Sequence, residues 1–287
     1  MTTRDSVWGI DRYLERWRLR DAELVAKTET CQVYRVLRKK GGHAALKVVR
    51  PRSDPFEKSG LETLAWYAGR GAAEVYAFGD GALLMEWLEG PPLSDLVLQG
   101  KDEVATDIIC QVVTQLHMER SRTPISLISL ENHFRGLFAA DRHKWPSAGG
   151  DLLIRAQLIA RTMLDSTGQE IVLHGDLHHD NILFSPRSWV AIDPKGLFGD
   201  PAYEVANCFL NPWGEADICA APSRIDSMAD RFAMRLETDR RRILGFAVAH
   251  GALSSSWANE AGTLPNHQIT VLPNLISAYE RAGGRMR

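Results

Sequence analysis

Residues 172 to 184 read "VLHGDLHHDNILF", setting three histidines, two aspartates and an asparagine between two apolar runs. Side chains of these types support three kinds of chemistry. His174, His178 and His179 offer imidazole nitrogens to zinc, and "HHD" is a cluster on which a metal-dependent phosphohydrolase can be built. The third chemistry is phosphoryl transfer, which asks the protein for positioning and charge neutralisation more than for covalent partners. The histidines lack the regular helical or hairpin spacing of a metal site, and neither metal reading accounts for the motifs elsewhere in the chain. In the third reading His174 braces the loop from inside, while His178 and His179 are loop residues near the phosphates.

Two further motifs fall in a telling order around this loop. "AALK" places Lys47 at the end of a predicted strand, and "AIDPKG" places Asp193 just after another. "HGDLHHDN" itself fits H-x-D-L-x-x-x-N, the pattern of a protein-kinase catalytic loop. Each pattern alone recurs by chance; the ordered set is specific. Lys47 is then the residue that holds the α- and β-phosphates of ATP. Mg2+ takes oxygen ligands and keeps several waters, and Asn181 and Asp193 supply two such oxygens. Asp176, five residues before Asn181, faces the acceptor hydroxyl, orients it and accepts its proton late in transfer.

The helix after Lys47 must offer that lysine a carboxylate. Glu57 and Glu62 are both available, and Leu61 and Leu64, four and seven residues beyond Glu57, turn its side of the helix toward a core. No G-x-G-x-x-G is present. The turn "KTETCQ" carries Thr28, Thr30 and Cys31, whose amides and hydroxyls reach toward phosphates if it is more than a plain hairpin. Without glycine it cannot approach them as closely. In "MEWLEG", Glu86 to Leu88 either present backbone groups to an adenine edge or simply end a strand.

These residues need a rigid frame, and the rest of the sequence describes one. "ELVAKT", "CQVYRVLRK" and "HAALKVVR" read as strands, with "KKGGH" as a hairpin turn. A helix follows, starting at Asp54 and Pro55 and stopping at Gly69. Two strands in "EVYAFGDGALLMEWL" complete a β-rich lobe, residues 1–88. "EGPPLSDLV", with Gly90, Pro91 and Pro92, is the candidate hinge. Residues 89–287 turn helical, beginning with Val104, Ile108, Val112 and Leu116 at helical spacing. "LENHFRGLFAADRH", "DLLIRAQLIARTMLDSTG" and three segments after residue 221 continue the pattern, with short strands "EIVLH", "NILF" and "WVAID" around the quoted loop. The fold class is α+β, in two lobes.

Composition narrows the partners. A formal net charge of -2 with interspersed signs lacks the clustered basic excess of a nucleic-acid footprint. "DRRR" at 239–242 reads as a solvated helix start. Four cysteines without a C-x-x-C pair fit reduced thiols in a cytoplasmic protein. The first 21 residues lack the apolar stretch of a signal peptide, and no apolar run approaches the ~20 residues that span a bilayer. The expectation is a soluble chain without membrane or nucleic-acid partners; oligomeric state is not legible.

The sequence resembles the aminoglycoside phosphotransferase branch of the protein-kinase-like fold, with glycine in "HGDLHHDN" where protein kinases carry arginine. More narrowly it is similar to the streptomycin 6-phosphotransferases of the aminoglycoside/hydroxyurea resistance kinases. That resemblance rests on "GRGAAEVY", "LHGDLHHDNILFSPRSWVAIDPKGLFGDPAYEVANCFLNP" and "HGALSSSW". It covers nearly the whole chain and is densest between 172 and 213. It implies a two-lobed kinase fold, ATP and Mg2+ as cofactors, and a cationic sugar as acceptor. Roles transfer to Lys47, Asp176, Asn181 and Asp193, which match the motifs. Streptomycin carries guanidinium groups, which call for carboxylates. Asp200, Glu204, Glu215 and Asp217 are the candidates, unless the first two brace the "DPAYEVA" turn and the others are solvated. Trp213 and Trp257 offer stacking faces or pack in the core. The alternatives are a housekeeping metabolite kinase on the same scaffold and a catalytically dead nucleotide-binding protein. A protein-substrate kinase is disfavoured, since no A-P-E segment follows Asp193.

Overall fold

The computed structural model describes residues 9–50, 55–120, 122–124, 126–145, 149–263 and 266–283. After α1 (Asp11–Trp17) come β1 (Leu19–Lys27), β2 (Cys31–Arg38) and β3 (His43–Val49), then α2 (Pro55–Tyr67), β4 (Val75–Gly79) and β5 (Ala82–Glu86). The five strands form one antiparallel sheet in the order β1-β2-β3-β5-β4. Three strands, a helix and two strands is the order the β-branched runs predict. Asp54, the expected first residue of the helix, lies outside the described residues. Gly41 and Gly42, both at positive φ, make the β2–β3 turn.

Strand alternation decides where Lys47 points. Leu46 and Val48 are buried with Tyr13 and Leu19, under α1, on one face of the sheet. Lys47 lies between them on β3, so its side chain leaves from the other face. That face meets α2, and Val49, Leu61, Leu64 and Leu83 there join the large core of the rest of the chain.

Beyond β5 the chain becomes helical: α3 (Ser94–Leu98), α4 (Asp102–Leu116), β6 (Ile128–Ser129), α5 (Leu130–His133), α6 (Arg135–Ala139) and α7 (Gly150–Asp165). The catalytic-loop region supplies β7 (Ile171–Leu173), β8 (Ile182–Phe184), β9 (Trp189–Ala191) and β10 (Leu197–Gly199). A 3₁₀ stretch, Pro201–Leu210, leads to α8 (Ala216–Ala220), α9 (Pro222–Arg235), α10 (Arg240–Glu260) and α11 (Asn266–Arg281). α10 is buried from Ile243 to Leu253, the mark of a helix packed on all sides. "LENHFRGLFAADRH", expected as one helical run, is two short helices that meet at Phe134, a turn residue at φ -81 and ψ 0. That break buries His133 and Phe134 against Tyr203, an edge-on aromatic cluster that outweighs local helix continuity.

The segment expected as a hinge is pinned by backbone bonds. Phe184 N donates to Pro91 O at 3.0 Å and Leu93 N donates to Ile182 O at 2.9 Å, so 91–93 run beside β8. On the other side of the same hairpin Ala73 N donates to Ala191 O at 2.9 Å and Ala191 N donates to Gly71 O at 2.8 Å, tying residues 71–73 to β9. The "DRRR" run does begin a helix, with Asp239 accepting from Arg241 N at 2.7 Å. It is not solvated throughout: Arg240 pairs with Asp226 and Asp230, and Arg242 with Asp200.

Candidate active site

Lys47 Nζ lies 2.9 Å from Glu57 and 2.6 Å from Asp193. Burial works against its charge, but the Asp193 and Glu57 carboxylates hold the ammonium above the usual lysine range. Burial likewise opposes ionisation of Asp193, and Lys47 and Lys195 pull it below the usual carboxylate range. Thr30 donates its hydroxyl to Glu57 at 2.7 Å, so the glycine-free turn touches the site through that glutamate. Glu62 does not reach Lys47. It accepts from the amide and hydroxyl of Ser126, both at 3.0 Å. Five residues apart on a helix, the two glutamates point roughly 140° away from each other, so only one can face the lysine.

α2 is locked to the segment after Asp193. A β-carbon on Gly60 would sit 2.1 Å from Pro194 O, and one on Gly196 only 2.4 Å from Ser59 Oγ. Ser59 donates to Gly196 O at 2.6 Å. Glycine at both positions lets the helix that carries Glu57 touch the turn that carries Asp193.

The loop from 174 to 181 is fixed from beneath by Glu204. This carboxylate is 1% exposed and accepts from His174 N at 3.0 Å and Gly175 N at 3.1 Å, with His117 Nε2 at 3.0 Å. Burial would raise it; His117, His174 and the donated hydrogen bonds hold it low. His174 Nδ1 accepts from Asp176 N at 3.3 Å and Nε2 donates to Ile192 O at 2.9 Å. Both nitrogens are committed, and burial keeps the ring neutral. Asp176 is thus offered to the cleft. One of its oxygens accepts from Asn207 at 2.9 Å and the other lies 3.5 Å from Lys195 Nζ. Asn181 donates its side-chain amide to Asp176 O at 2.9 Å, and its own carbonyl accepts from Ile192 N at 2.9 Å, just before Asp193.

Asn181 and Asp193 therefore sit on adjacent turns with an amide and a carboxylate oxygen, a donor set that fits a hard cation which keeps waters and phosphate oxygens as its other ligands. Zinc fares differently. No cluster of three His, Cys, Asp or Glu able to hold a metal occurs among the described residues. His178 Nδ1 accepts from Asp180 N, and His179 is fully buried.

A cavity of about 430 Å³ opens beside Asp176 and Lys195 and reaches Glu57, Phe56, His133, His250 and Trp257. Behind it Tyr203 links the two histidines, with His133 Nε2 at 2.6 Å and His250 Nδ1 at 2.8 Å from its hydroxyl. Burial pushes His133 down to about 3 and His250 to about 4, so both rings are neutral near pH 7. Trp257 stands edge-on to each.

None of the four carboxylates expected at the acceptor lines this cavity. Glu204 braces the loop. Asp200 caps the following 3₁₀ stretch through Ala202 N and pairs with Arg242. Glu215 and Asp217 are exposed around the start of α8, and Trp213 stacks on His267. At the end of β5, Glu86 is tied to Glu74 and Arg187, its amide donating to Glu74 O. Leu88 packs against the core. Trp87 and Glu89, the alternate residues, line a hollow of about 400 Å³ with His43 and Phe184. Sequence reasoning missed Lys195, Asn207, Tyr203, His133 and His250. Lys195 lay inside the quoted "AIDPKG", Tyr203 and Asn207 inside "DPAYEVANCFLNP" and His250 at the head of "HGALSSSW", but nothing in those stretches marked these side chains as facing one site.

Residues 16–262 match the family model described as aminoglycoside/hydroxyurea antibiotic resistance kinase. A streptomycin 3''-kinase of Klebsiella pneumoniae is 36% identical over 251 residues, covering 85% of this chain and 90% of the relative. A streptomycin 6-kinase of Streptomyces griseus is 27% identical over 282 residues, covering 94% and 87%. Among solved structures, a thermostable mutant of aminoglycoside phosphotransferase APH(4)-Ia, in ternary complex with AMP-PNP and hygromycin B, gives a TM-score of 0.65 at 16% identity. The match covers 97% of this chain and 99% of that one. The sheet, the helical part and this likeness make the fold protein-kinase-like.

Proposed function

The chain belongs to the aminoglycoside/hydroxyurea antibiotic resistance kinase family, and from that premise we propose that it phosphorylates a hydroxyl of streptomycin with ATP and Mg2+, as a cytoplasmic resistance enzyme. One observation carries the reading: Asp176 opens onto a cavity bordered by Glu57, whose partner Lys47 reaches Asp193. Residues 1–88 form the nucleotide lobe and 89–287 the acceptor lobe, with the cleft between them.

In the reaction the acceptor oxygen bonds to the γ-phosphorus as the bond to the β–γ bridging oxygen breaks, and that electron pair leaves on ADP. Asp176, held by Asn207, takes the hydroxyl proton. Lys47, oriented by Glu57, holds the α- and β-phosphates. Asn181 and Asp193 hold Mg2+, which when bound neutralises phosphate charge. The acceptor meets Trp257 and Phe56 faces and the neutral rim of His133 and His250. A guanidinium stacks on an indole without needing a carboxylate from Asp200, Glu204, Glu215 or Asp217.

Purified protein incubated with Mg-ATP and streptomycin should yield a product heavier by one phosphoryl group, and its expression should protect a sensitive host. Phosphorylation of some other metabolite, with streptomycin untouched, would remove the acceptor assignment and the resistance role while leaving the transfer chemistry in place.

A further inference from the structure

We infer that Lys195 is a second catalytic cation, one that contacts the phosphoryl group in flight; the inference rests on the phosphotransferase reading above. Its Nζ lies 3.5 Å from an Asp176 oxygen and its side chain is 37% exposed into the cavity. The loop from His174 to Asn181 contains no lysine or arginine, and of the described residues lining the cavity Lys195 alone is a permanent cation. Lys47 is held by two carboxylates at 2.9 Å and 2.6 Å. Lys195 has one carboxylate, at a longer distance, and keeps donors for a ligand.

The electrostatics require such a group. A γ-phosphate approaching Asp176 and Glu57 brings negative charge toward two carboxylates, in a cleft where charges interact more strongly than in water. A cation between Asp176 and the phosphorus relieves that repulsion. It also favours the transition state, in which charge gathers on the non-bridging oxygens. The backbone sets the position: Lys195 N donates to His174 O at 2.8 Å, and Gly196 is wedged against Ser59 and Thr63. As the acceptor oxygen bonds to phosphorus and the bridging oxygen departs with its electron pair on ADP, the hydroxyl proton passes to Asp176. Lys195 keeps its own protons throughout and donates a hydrogen bond to a γ-oxygen.

The test pairs turnover with binding. Lys195→Ala should lower kcat by roughly 10²- to 10³-fold with the KM for ATP little changed, and Lys195→Arg should restore part of the loss. MgADP with aluminium fluoride, a stand-in for the transferring phosphoryl, should bind Lys195→Ala at least about tenfold more weakly than wild type, while MgADP alone binds both alike. Equal binding of the aluminium fluoride complex to folded wild type and Lys195→Ala would overturn the inference. So would a kcat loss that arginine does not relieve. Because the binding measurement contains no acceptor, it stands apart from the streptomycin assignment: a wild type that leaves streptomycin untouched while Lys195→Ala loses the analogue would sink only the acceptor.

Discussion

The two ends of the cleft are built from opposite materials. At the phosphate end, Lys47, Glu57, Asp193, Asp176 and Lys195 form a chain of alternating charges within 2.6 Å to 3.5 Å of one another along Glu57–Lys47–Asp193 and Asp176–Lys195. At the acceptor end, His133, Tyr203, His250 and Trp257 are neutral, and hydroxyl, imidazole and ring contacts hold them together. Charge gathers where phosphate must be neutralised. At the proposed acceptor end the side chains that line the cavity are neutral. The two ends should therefore be damaged separately by substitution.

The largest effect belongs to the charged end. Asp176→Ala should lower transfer by roughly 10²- to 10⁴-fold, read as kcat, with the melting temperature and nucleotide binding close to wild type. Gly60→Ala should follow. Its new methyl would meet Pro194 O, pushing Glu57 away from Asp193; an ångström of misplacement costs roughly 10²-fold in rate, again in kcat. Unchanged turnover in that variant would show that α2 need not touch the Asp193 turn. The neutral end should respond in binding. Trp257→Leu should raise the acceptor KM roughly three- to thirty-fold, the range of an aromatic–cation contact, with kcat within a few-fold; an unaltered KM would remove the tryptophan from the acceptor surface.

The smallest effect is on stability. His133 and His250 stay neutral in the fold to about 3 and about 4, chiefly through burial; Lys195 and His250 add to the lowering of His133. His178 lowers His250 further, against the pull of Asp176. Unfolded imidazoles titrate near about 6.5. Between that pH and about 4 the unfolded chain takes up protons that the folded chain refuses, so stability falls as the pH is lowered. The slope is about 1 kcal/mol per pH unit for each histidine. Melting temperatures should fall as the pH is lowered across that window, and His250→Gln should reduce that fall by one histidine's share.

The same contrast explains what could be read in the sequence. The charged end is assembled from short contiguous motifs, "AALK", "HGDLHHDN" and "AIDPKG", each riding on a strand or strand-to-turn junction whose local pattern is strong. The choice between Glu57 and Glu62 was not legible, because the helix's rotation depends on Gly60 docking against Pro194. The neutral end draws on residues 133, 203, 250 and 257, which come together only when α10 packs against the 3₁₀ stretch and the α5–α6 break. No spacing records that. Acidic residues following Asp193 were the visible candidates for a cationic acceptor. Asp200 and Glu204 instead cap and brace backbone, work that is invisible until the amides they accept from are in place.

In the proposed function, chemistry and acceptor choice reside at different ends of one cleft. Calorimetric titration of streptomycin into nucleotide-loaded Asp176→Asn tests it most directly, with product mass followed in the same samples. Wild-type acceptor affinity is expected, with no phosphorylated product over the wild-type time course. Product formed at the wild-type rate, or acceptor binding lost along with turnover, would contradict it.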